Sequence, residues 1–456
     1  MAAAGRAANA TNDIAAHLHP FTNLATHPQV GPLVIRRGDG IFVEDDQGRR
    51  YLEAMSGLWC ASLGFSNERL ANAGSAALRS LPYYHTFNHR SNEAAIALAE
   101  KLVALAPVPM SKAFFANSGS EANDTAVKLV WYYHNAIGKP AKKKIIARLN
   151  AYHGVTVAAA SLSGLAPNHI DFDLPIDRML HVGCPHHYRF AHPHESEEAF
   201  ATRLAEELEQ RILAEGPDTV GAFIAEPVMG AGGVVVPPAG YFDKVQAVLR
   251  KHDILLIADE VICGFCRTGE MFGSTTFGLK PDILTAAKAL SSGYAPISAV
   301  LVSEKIHVAI AGNSGRIGTF GHGFTYSGHP VSCAIALETL QVYEDENILA
   351  KVKALAPRFQ ASLRRYTSRP RVGEIRGIGL IGAVELAEEP AAKRSFDPGL
   401  KMGMRLAALA LEEGLIVRAM GDSIAFCPPL IIEEEQIDEM FSRFDHAMLR
   451  FEASMN

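Results

Sequence analysis

The sequence has few cysteines, no long apolar run and no strong excess of one charge. Its 456 residues include six scattered cysteines, which predicts a reducing compartment rather than a disulfide framework. No stretch approaches the roughly 18 to 20 apolar residues of a membrane helix. The Ala-rich start at residues 1–12 lacks the basic and apolar regions of a signal peptide. We therefore expect a cytoplasmic protein that does not enter a membrane.

Nucleic-acid binding and metal binding also find little support in the sequence. The formal net charge is −6, and the basic run Lys142-Lys143-Lys144 is expected to be a solvated helix end, so we expect no nucleic-acid partner. Cys263 and Cys266 have the spacing of a redox or zinc motif, but no second pair follows at the distance of a structural zinc site. The histidines of residues 186–194 lie in a Pro-rich stretch that is expected to be a solvated loop. The sequence therefore predicts no metal centre.

The middle of the chain alternates strand-like apolar runs with helical patterns. The expected strands are 113–115, 144–147, 220–224, 254–258 and 297–302, and the helices among them are 92–105, 120–136, 196–214 and 240–251. This alternation predicts a mostly parallel sheet covered on both faces.

The two ends of the chain have a different character. A hairpin is expected over 40–52, and after residue 335 we expect helices 332–350, 351–366 and 399–413 with strands 378–386 and 415–418. We expect an N-terminal segment (1–62) that packs with a small C-terminal α+β domain (336–456), and a large domain (63–335) between them.

An acid and a lysine, each after a strand-like run, indicate the chemistry. Asp259 ends the apolar run 254–258, and Lys288 follows a second run at 282–285. A carboxylate at the end of so apolar a run is costly to bury without a cationic partner. A lysine among Ala and Leu is desolvated, so its pKa falls and its amine can attack an aldehyde. Pyridoxal phosphate (PLP) enzymes need this pair, because the amine forms the Schiff base and the carboxylate keeps the pyridine nitrogen protonated.

Other polar groups are expected at the same edge of the sheet, where the strands have their carboxyl ends. The run Ser118-Gly119-Ser120 offers hydroxyls, close backbone approach and a helix N-terminus, which suit a phosphate. An ordinary capping box of Ser118 with Glu121 is the alternative interpretation. Tyr152 would lie over a flat ring, and Glu226 would point into the same crevice.

These segments resemble the class III aminotransferases, which are PLP enzymes of fold type I. The motifs that carry the resemblance are Ser118–Ala122, Tyr152–Gly154, Ala225–Val228, Ala258–Phe265, Lys280–Ile283, Ala287–Leu290 and His322–Pro330. The resemblance extends from about His19 to Pro429. It implies an α/β fold with a mostly parallel sheet in a large PLP-binding domain and a smaller α+β lobe built from both chain ends.

The resemblance also implies roles for the residues. Lys288 is the expected Schiff-base lysine and Asp259 the partner of the pyridine nitrogen. Val261 and Tyr152 would sandwich the ring, beside Glu226.

At the phosphate end, Gly119 and Ser120 would hold the phosphate group next to Ser118. Thr325 would reach the phosphate of the neighbouring subunit, which implies a homodimer with interfacial active sites. Pairing of dimers into tetramers stays open.

Within the family, the chain is most similar to the omega-amine:pyruvate transaminases. The segments that carry this similarity are His19–Thr22, Gly57–Cys60, Tyr83–Phe87 and Val417–Asp422. It implies an apolar pocket walled by Phe21, Trp59 and a partner-subunit Phe87, with Arg418 clamping the substrate carboxylate. An arginine that ends a strand more often forms a surface ion pair, so the role of Arg418 depends mainly on the resemblance.

The function implied is amino transfer from a primary amine to a keto acid, with pyruvate as the expected acceptor. It would proceed through a Lys288 aldimine and a pyridoxamine phosphate intermediate. Two alternatives stay open: a decarboxylase or aminomutase that uses the same cofactor, and a transaminase that uses 2-oxoglutarate. A cofactor-binding regulator would need an appended domain that the sequence does not display. The amine donor stays open among omega-amino acids, alkylamines and arylalkylamines, and the resemblance implies a preference for the (S) form.

Overall fold

The computed structural model describes residues 2–455, and these residues form three β-sheets with helices around them. The strands are β1 (Ile35–Asp39), β2 (Phe42–Asp45), β3 (Arg50–Glu53), β4 (Lys112–Ala116), β5 (Lys144–Arg148), β6 (Met179–Val182), β7 (Val220–Ala225), β8 (Leu255–Asp259), β9 (Ile283–Ala286), β10 (Ser298–Val302), β11 (Val372–Ile378), β12 (Ile381–Leu386), β13 (Leu415–Ile416), β14 (Arg418–Met420) and β15 (Ser423–Phe426). The α-helices are α1 (Ala2–Ala16), α2 (His27–Val30), α3 (Ser56–Trp59), α4 (Glu68–Ser80), α5 (Glu93–Leu105), α6 (Gly119–Ala136), α7 (Val157–Leu162), α8 (His187–Phe190), α9 (Glu197–Glu215), α10 (Tyr241–Lys251), α11 (Gly273–Thr276), α12 (Glu304–Ile317), α13 (Pro330–Asp345), α14 (Ile348–Arg364), α15 (Met402–Glu412) and α16 (Glu434–Ala453).

The largest sheet has seven strands in the order β4-β10-β9-β8-β7-β5-β6. Strands β9, β8, β7, β5 and β6 pair in parallel, and β10 is antiparallel to both of its neighbours. The predicted mostly parallel sheet is therefore confirmed. Strand β6 was not predicted, because its four residues acquire a strand partner only when residues 145–148 lie beside them.

In strands β5 and β8 of this sheet, alternating side chains enter two separate hydrophobic cores. Ile145 and Ile257 lie in the core beneath α6, whereas Ile146 and Leu256 lie in the core beneath α9 and α10. Successive residues of a strand point to opposite faces of the sheet. A strand that is apolar at every position therefore needs helices on both faces. This arrangement buries β8 completely and leaves its carboxyl end, at Asp259, as the edge where polar side chains gather.

The two smaller sheets link the ends of the chain. One has the order β1-β2-β3-β13, in which Leu415 of β13 pairs in parallel with Leu52 of β3. The other has the order β11-β12-β15-β14. The pairing of β3 with β13 brings the N-terminal segment against the C-terminal part of the chain. The domain boundaries at residues 62 and 335 stay predictions.

Two predicted strands were wrong in their extent. The expected strand 378–386 is instead a hairpin of β11 and β12, which turns at Gly379 with φ +56°. A Cβ at Gly379 would lie 2.4 Å from the carbonyl oxygen of Arg267, so the turn needs glycine. The expected strand 415–418 divides between two sheets, because β13 pairs with β3 and β14 pairs with β15. Arg418 therefore begins a strand rather than ending one.

The basic run at 142–144 is not a solvated helix end, which corrects that expectation. Lys142 is buried, and its ammonium donates hydrogen bonds to the backbone carbonyls of His252 and Asp253, at 3.1 and 2.6 Å. Lys144 lies within β5. None of the helices among residues 2–455 is both long enough and apolar enough to span a bilayer.

The expectation of a solvated loop over 186–194 was also wrong in part. His192 and His194 are exposed, but His186 is buried, and its Nε2 lies 2.7 Å from a carboxylate oxygen of Glu374. Arg376 contacts the same carboxylate, so the cluster is a buried ion-pair network. Cys263 and Cys266 are likewise buried, with free thiols.

Candidate active site

Asp259 is held in one orientation at the end of β8. Its Oδ2 accepts a hydrogen bond from the Asn123 amide at 2.8 Å and lies 2.7 Å from Nδ1 of His153. Its Oδ1 accepts from the backbone N–H of Val261 at 3.1 Å. The side chain is buried, and no Lys or Arg among the described side chains of residues 9–455 forms an ion pair with it. A fixed, buried carboxylate of this kind is suited to a cationic ligand.

The residues that hold Asp259 come from three separate elements. Asn123 lies in α6, and its carbonyl accepts a hydrogen bond from the hydroxyl of Thr285 in β9 at 2.9 Å. The Asn123 amide also donates to the backbone carbonyl of His153, at 2.7 Å. The sequence analysis gave Asn123, His153 and Thr285 no role. A buried Asn within a helix is the signal that was available, because such a side chain is unfavourable there without a partner.

Lys288 follows β9 directly and is half-buried in the same region. Its backbone φ is +49°, a strained value for a residue with a side chain. Burial lowers the pKa of its ammonium, while the charges of Asp259 and Glu226 act in the opposite direction. The ammonium nitrogen lies 6.0 Å from the centre of the Trp59 ring. The fold thus brings the predicted amine and the predicted carboxylate into one electrostatic environment.

Glu226 and Tyr152 are joined in the crevice by a hydrogen bond. One carboxylate oxygen of Glu226 accepts from the backbone N–H of Tyr152 at 3.0 Å, and the other accepts from Gly230 at 2.9 Å. Burial raises the pKa of this carboxyl group. The Tyr152 ring meets Phe21 edge-on, with ring centres 6.3 Å apart. Glu226 therefore holds the loop that carries Tyr152.

The start of α6 has the features of an anion cradle. Ser118 is the N-cap, and its hydroxyl accepts from the backbone N–H of Glu121 at 3.2 Å. The Glu121 carboxylate turns to the backbone N–H of Asn117 instead of Ser118, so the reciprocal capping box is incomplete. A Cβ on Gly119 would lie 3.0 Å from a methyl group of Val261, so glycine permits the close approach there. The hydroxyl of Ser120 accepts from the backbone N–H of Val155 at 3.1 Å.

Arg418 and Trp59 form the other side of the crevice. The Arg418 guanidinium carbon lies 4.8 Å from the centre of the Trp59 ring. Trp59 is buried at the end of a kinked turn and has a φ of +58°. The expectation that an arginine here more often forms a surface ion pair is not met, since Arg418 has no carboxylate partner in the described part of the chain. Burial lowers its pKa.

The contacts that Phe87 and Thr325 make involve other residues than this group. The carbonyl of exposed Thr325 accepts a hydrogen bond from the Tyr83 hydroxyl at 2.9 Å. The Phe87 ring lies over Gly323, where an added Cβ would be 2.6 Å from a ring carbon. Across residues 2–455, no hydrogen bond or ring contact links either residue to Lys288, Asp259 or Arg418.

The residues present fit PLP. A buried carboxylate without a Lys or Arg partner suits a protonated pyridine nitrogen, and a desolvated amine suits an aldehyde. The helix start at Gly119, where no Cβ intervenes, suits a phosphate.

The comparisons with known proteins agree with this fit. The family model described as aminotransferase class III matches residues 25–448. An omega transaminase from Pseudomonas jessenii, solved in complex with PMP, is 56% identical with a TM-score of 0.96, covering 97% of this chain and 98% of that one. A transaminase solved with L-alanine is 58% identical with a TM-score of 0.92, covering 93% of this chain and all of that one.

A curated relative gives the same family. Gamma aminobutyrate transaminase 3, chloroplastic, from Solanum lycopersicum is 52% identical over 432 residues, which are 94% of this chain and 83% of the relative. The family match covers most of the chain, including Asp259 and Lys288. The chain therefore belongs to the class III aminotransferases and is a PLP-dependent transaminase of fold type I.

Proposed function

We propose that this chain is an omega-amine:pyruvate transaminase, which moves an amino group from a primary amine to pyruvate. The position of Arg418 carries the proposal. It lies on the Trp59 ring and has no carboxylate partner in residues 2–455, and its positive charge helps to lower the pKa of Lys288. The related transaminase solved with L-alanine supports the choice of acceptor, because pyruvate becomes alanine when it accepts an amino group.

Lys288 and Asp259 are the proposed catalytic residues. When bound, PLP supplies an aldehyde that captures the amine nitrogen and a ring that withdraws electrons from the neighbouring carbon. Nζ of Lys288 would hold the cofactor in the resting enzyme. Once displaced by the amine, it would take the proton from the substrate carbon and deliver it to the cofactor carbon on the other side of the shared nitrogen. The lowered pKa of Lys288 favours the neutral amine that these steps require. Asp259 would keep positive charge on the pyridine nitrogen, and His153 and Asn123 position its carboxylate.

The remaining cofactor-binding residues are proposed from their places in the crevice. Tyr152 and Val261 would lie on opposite faces of the ring. Glu226 would position the Tyr152 loop by accepting the hydrogen bond from the backbone N–H of Tyr152. Ser118, Gly119 and Ser120 would hold the phosphate with hydroxyls and the free N–H groups of the first turn of α6. Close contact of Gly119 with Val261 supports this arrangement, because it links the phosphate end to the ring wall.

One pocket must accept two different groups in the two half-reactions. The acceptor brings a carboxylate, and the donor brings a hydrocarbon substituent. Arg418 would turn inward to form a bidentate contact with the carboxylate and outward to admit the hydrocarbon. Trp59 would then present its apolar face, with Phe21 at the opposite wall beside Tyr152. The stacked contact of Arg418 on Trp59 suits the resting position, since cation–π contacts at partly exposed sites contribute only about 0.5–2 kcal/mol.

One other specificity stays open, the use of 2-oxoglutarate as the amino acceptor. Such a transaminase must also bind a second carboxylate. The related protein from Solanum lycopersicum is named a gamma aminobutyrate transaminase, so an omega-amino acid is a candidate donor here too. The decarboxylase and aminomutase alternatives are set aside, because the chain matches the class III aminotransferases and is more than half identical to transaminases.

The test is a screen of amine donors against both acceptors. Purified enzyme with PLP is incubated with beta-alanine, gamma-aminobutyrate, a diamine or (S)-1-phenylethylamine, and with pyruvate or 2-oxoglutarate. We expect alanine to form faster than glutamate, together with an equal amount of the carbonyl product of the donor. Faster glutamate formation would contradict the choice of acceptor. Carbon dioxide release, or an amine shift without acceptor, would contradict transamination as the main reaction.

We also propose a homodimer in which Thr325 and Phe87 serve the neighbouring active site. The exposure of Phe87 and Tyr326, 42% and 56%, supports it, because such aromatic surface is usually covered in an assembly. So does the absence, in the described part of the chain, of any hydrogen bond or ring contact from Phe87 or Thr325 to Lys288, Asp259 or Arg418. Tetramers stay an open possibility for the same surface. The cytoplasm stays the expected compartment, and six free thiols are in keeping with a reducing environment.

A further inference from the structure

We propose that Asp13, His17 and His19 form a binding site for a divalent transition-metal ion of the Zn²⁺ class, separate from the PLP site. One ligand atom from each of the three side chains lies within 4.8 Å of the others. His27 approaches the same Asp13 carboxylate from α2 and supports it. The sequence analysis predicted no metal centre from the cysteines and from the histidines of 186–194, and it did not consider these three residues.

The spacing of the donors suits a single ion. Asp13 and His17 are four residues apart on the last turn of α1, which continues to His17 through a hydrogen bond from its N–H to the Asp13 carbonyl at 2.9 Å. Oδ1 of Asp13 lies 3.3 Å from Nδ1 of His17. Ligands that are about 2.0–2.2 Å from a tetrahedral ion lie roughly 3.3–3.5 Å from one another. His19 reaches Oδ2 of Asp13 with its Nε2 at 2.7 Å, so a small shift of His19 would complete a three-ligand set.

The arrangement of the rings also favours a shared ligand. The centres of the His17 and His19 rings are 4.3 Å apart, and those of His19 and His27 are 4.2 Å apart. Nε2 of His27 lies 3.3 Å from Oδ2 of Asp13, and His27 is buried. A carboxylate that binds a metal is commonly held by such a neighbour. His27 is therefore the positioning residue of the site. A water molecule would take the fourth ligand position of the ion, on the exposed side next to His17.

A competing explanation is that the cluster is only a hydrogen-bond network, as the cluster of His186 is. In that cluster the Arg376 guanidinium already donates to both carboxylates, Glu374 and Glu385, and so balances their charge. Among residues 9–455, whose side chains the structure describes, neither Lys nor Arg forms an ion pair with Asp13, and its ionic partners there are the three histidines. One carboxylate with neutral imidazoles carries a net charge of −1, which a dication complements. Imidazole and carboxylate ligands suit Zn²⁺ and its neighbours in the transition series.

The site would fix a segment that reaches the active site. Phe21 lies between His19 and His27 in the chain and contacts the ring of Tyr152. An ion on Asp13, His17 and His19 would tie residues 17–27 to α1. The consequence is a more ordered Phe21 wall.

The experiment measures zinc binding to the PLP-loaded full-length enzyme after dialysis against a chelator. Titration with ZnCl₂ in a calorimeter, with metal content checked after gel filtration, should give one tight site per chain. Asp13→Asn, His17→Gln and His19→Gln should each weaken that site by at least about 100-fold. His27→Gln should weaken it by about 10- to 100-fold, as expected for the loss of a neighbour that holds a ligand. Hydrogen exchange of residues 13–30 should slow when Zn²⁺ is added to the unmodified enzyme.

The matched control is His446→Gln. His446 is about as exposed as His17, with 63% and 60% of the side chain accessible, and it also lies near a carboxylate. That variant should bind zinc like the unmodified enzyme. PLP absorbance and circular dichroism establish that each variant is folded, and the hydrogen-exchange measurement does not depend on any variant. Equal zinc binding by the Asp13 and His19 variants, or unchanged exchange of residues 13–30 with Zn²⁺, would overturn the proposal.

Discussion

The guanidinium of Arg418 rests on the face of Trp59, with 4.8 Å between the guanidinium carbon and the ring centre. The ammonium of Lys288 lies 6.0 Å from the same ring. A single tryptophan therefore borders both the group that is expected to move the proton and the group that is expected to bind the carboxylate. This relationship leads to the first prediction.

Arg418→Ala should separate the two half-reactions. We expect reamination by pyruvate to slow by about 10- to 150-fold, the equivalent of a charge-assisted hydrogen bond of roughly 1.5–3 kcal/mol. Deamination of an arylalkylamine should change only a few fold, because its hydrocarbon group needs no cation. Stopped-flow absorbance follows each half-reaction separately. The control is Arg316→Ala, since Arg316 is exposed and, among the described side chains, bonds only to Asn313 of its own helix. Equal losses in both half-reactions would assign Arg418 a structural role instead.

Lys288 should be the residue that carries PLP covalently. Reduction of the enzyme with borohydride, followed by peptide mapping, should place the label on Lys288. Lys142 provides an internal control, because burial also lowers its pKa but its ammonium donates to two backbone carbonyls. We expect Lys142 to stay unlabelled. A label on any other lysine would contradict the assignment.

Asp259→Asn should leave the fold intact and slow proton abstraction. The neutral amide would not hold the pyridine nitrogen charged, and a pairing of one to three pKa units corresponds to about 10- to 1,000-fold in rate. The rate is measured in a single half-reaction with excess amine. Asp282→Asn is the control, because that carboxylate also accepts a backbone N–H of the same sheet, at 2.9 Å, and pairs with Lys305. Near-normal turnover of Asp259→Asn would show that another group performs this task.

Gly119→Ala should weaken PLP binding. The added Cβ would lie 3.0 Å from Val261, and relief of that contact would move the start of α6 away from the phosphate. Overpacking of this kind costs typically 1–3 kcal/mol, which corresponds to about 5- to 150-fold in affinity. Retention of PLP during dialysis and the affinity on readdition measure the effect. Gly312→Ala is the matched control, because Gly312 lies in α12 and a Cβ there would have no neighbouring atom within 4 Å outside its own helix backbone. Full retention of PLP by Gly119→Ala would mean that the phosphate lies elsewhere.

Thr325→Ala should weaken phosphate binding in the site of the other subunit. We expect a loss of about 1.5–3 kcal/mol, whereas Thr325→Ser keeps the hydroxyl and should retain most of the affinity. Mixed dimers of Thr325→Ala and Lys288→Ala protomers provide the sharper measurement. One of their sites lacks both groups and the other lacks neither. Dimers that are proven mixed but contain no high-affinity site would reject the cross-subunit role.

The sequence could predict Asp259 and Lys288 because each follows an apolar run, and the carboxyl ends of neighbouring parallel strands meet at one edge. It could not predict the groups that hold Asp259. Asn123, His153 and Thr285 come from separate elements and converge only after the sheet forms. The position of Asn123 within a predicted helix was the one local signal, and the local sequence gave none for His153 or Thr285.

The position of Arg418 depended on information that the local sequence lacks. Residues 415–418 have the composition of one strand, yet β13 and β14 have partners in different sheets. The chain divides here because β13 pairs with β3, which lies more than 300 residues earlier, whereas β14 pairs with β15, which follows it. Likewise, the basic run predicted a solvated Lys142. Its ammonium is instead buried against the backbone carbonyls of His252 and Asp253, which follow α10 in the chain.

The pairing of β3 with β13 has a consequence for synthesis of the chain. Leu52 pairs with Leu415, so these two strands can pair only after nearly the whole polypeptide has left the ribosome. Closing so long a loop is slow, because its entropy must be lost before the contacts form. Trp59 and Arg418 lie just beyond the two paired strands, so the pocket they line would be completed late in folding. A chain released before residue 415 would contain Asp259, Lys288 and Trp59 yet lack Arg418, the proposed carboxylate-binding residue.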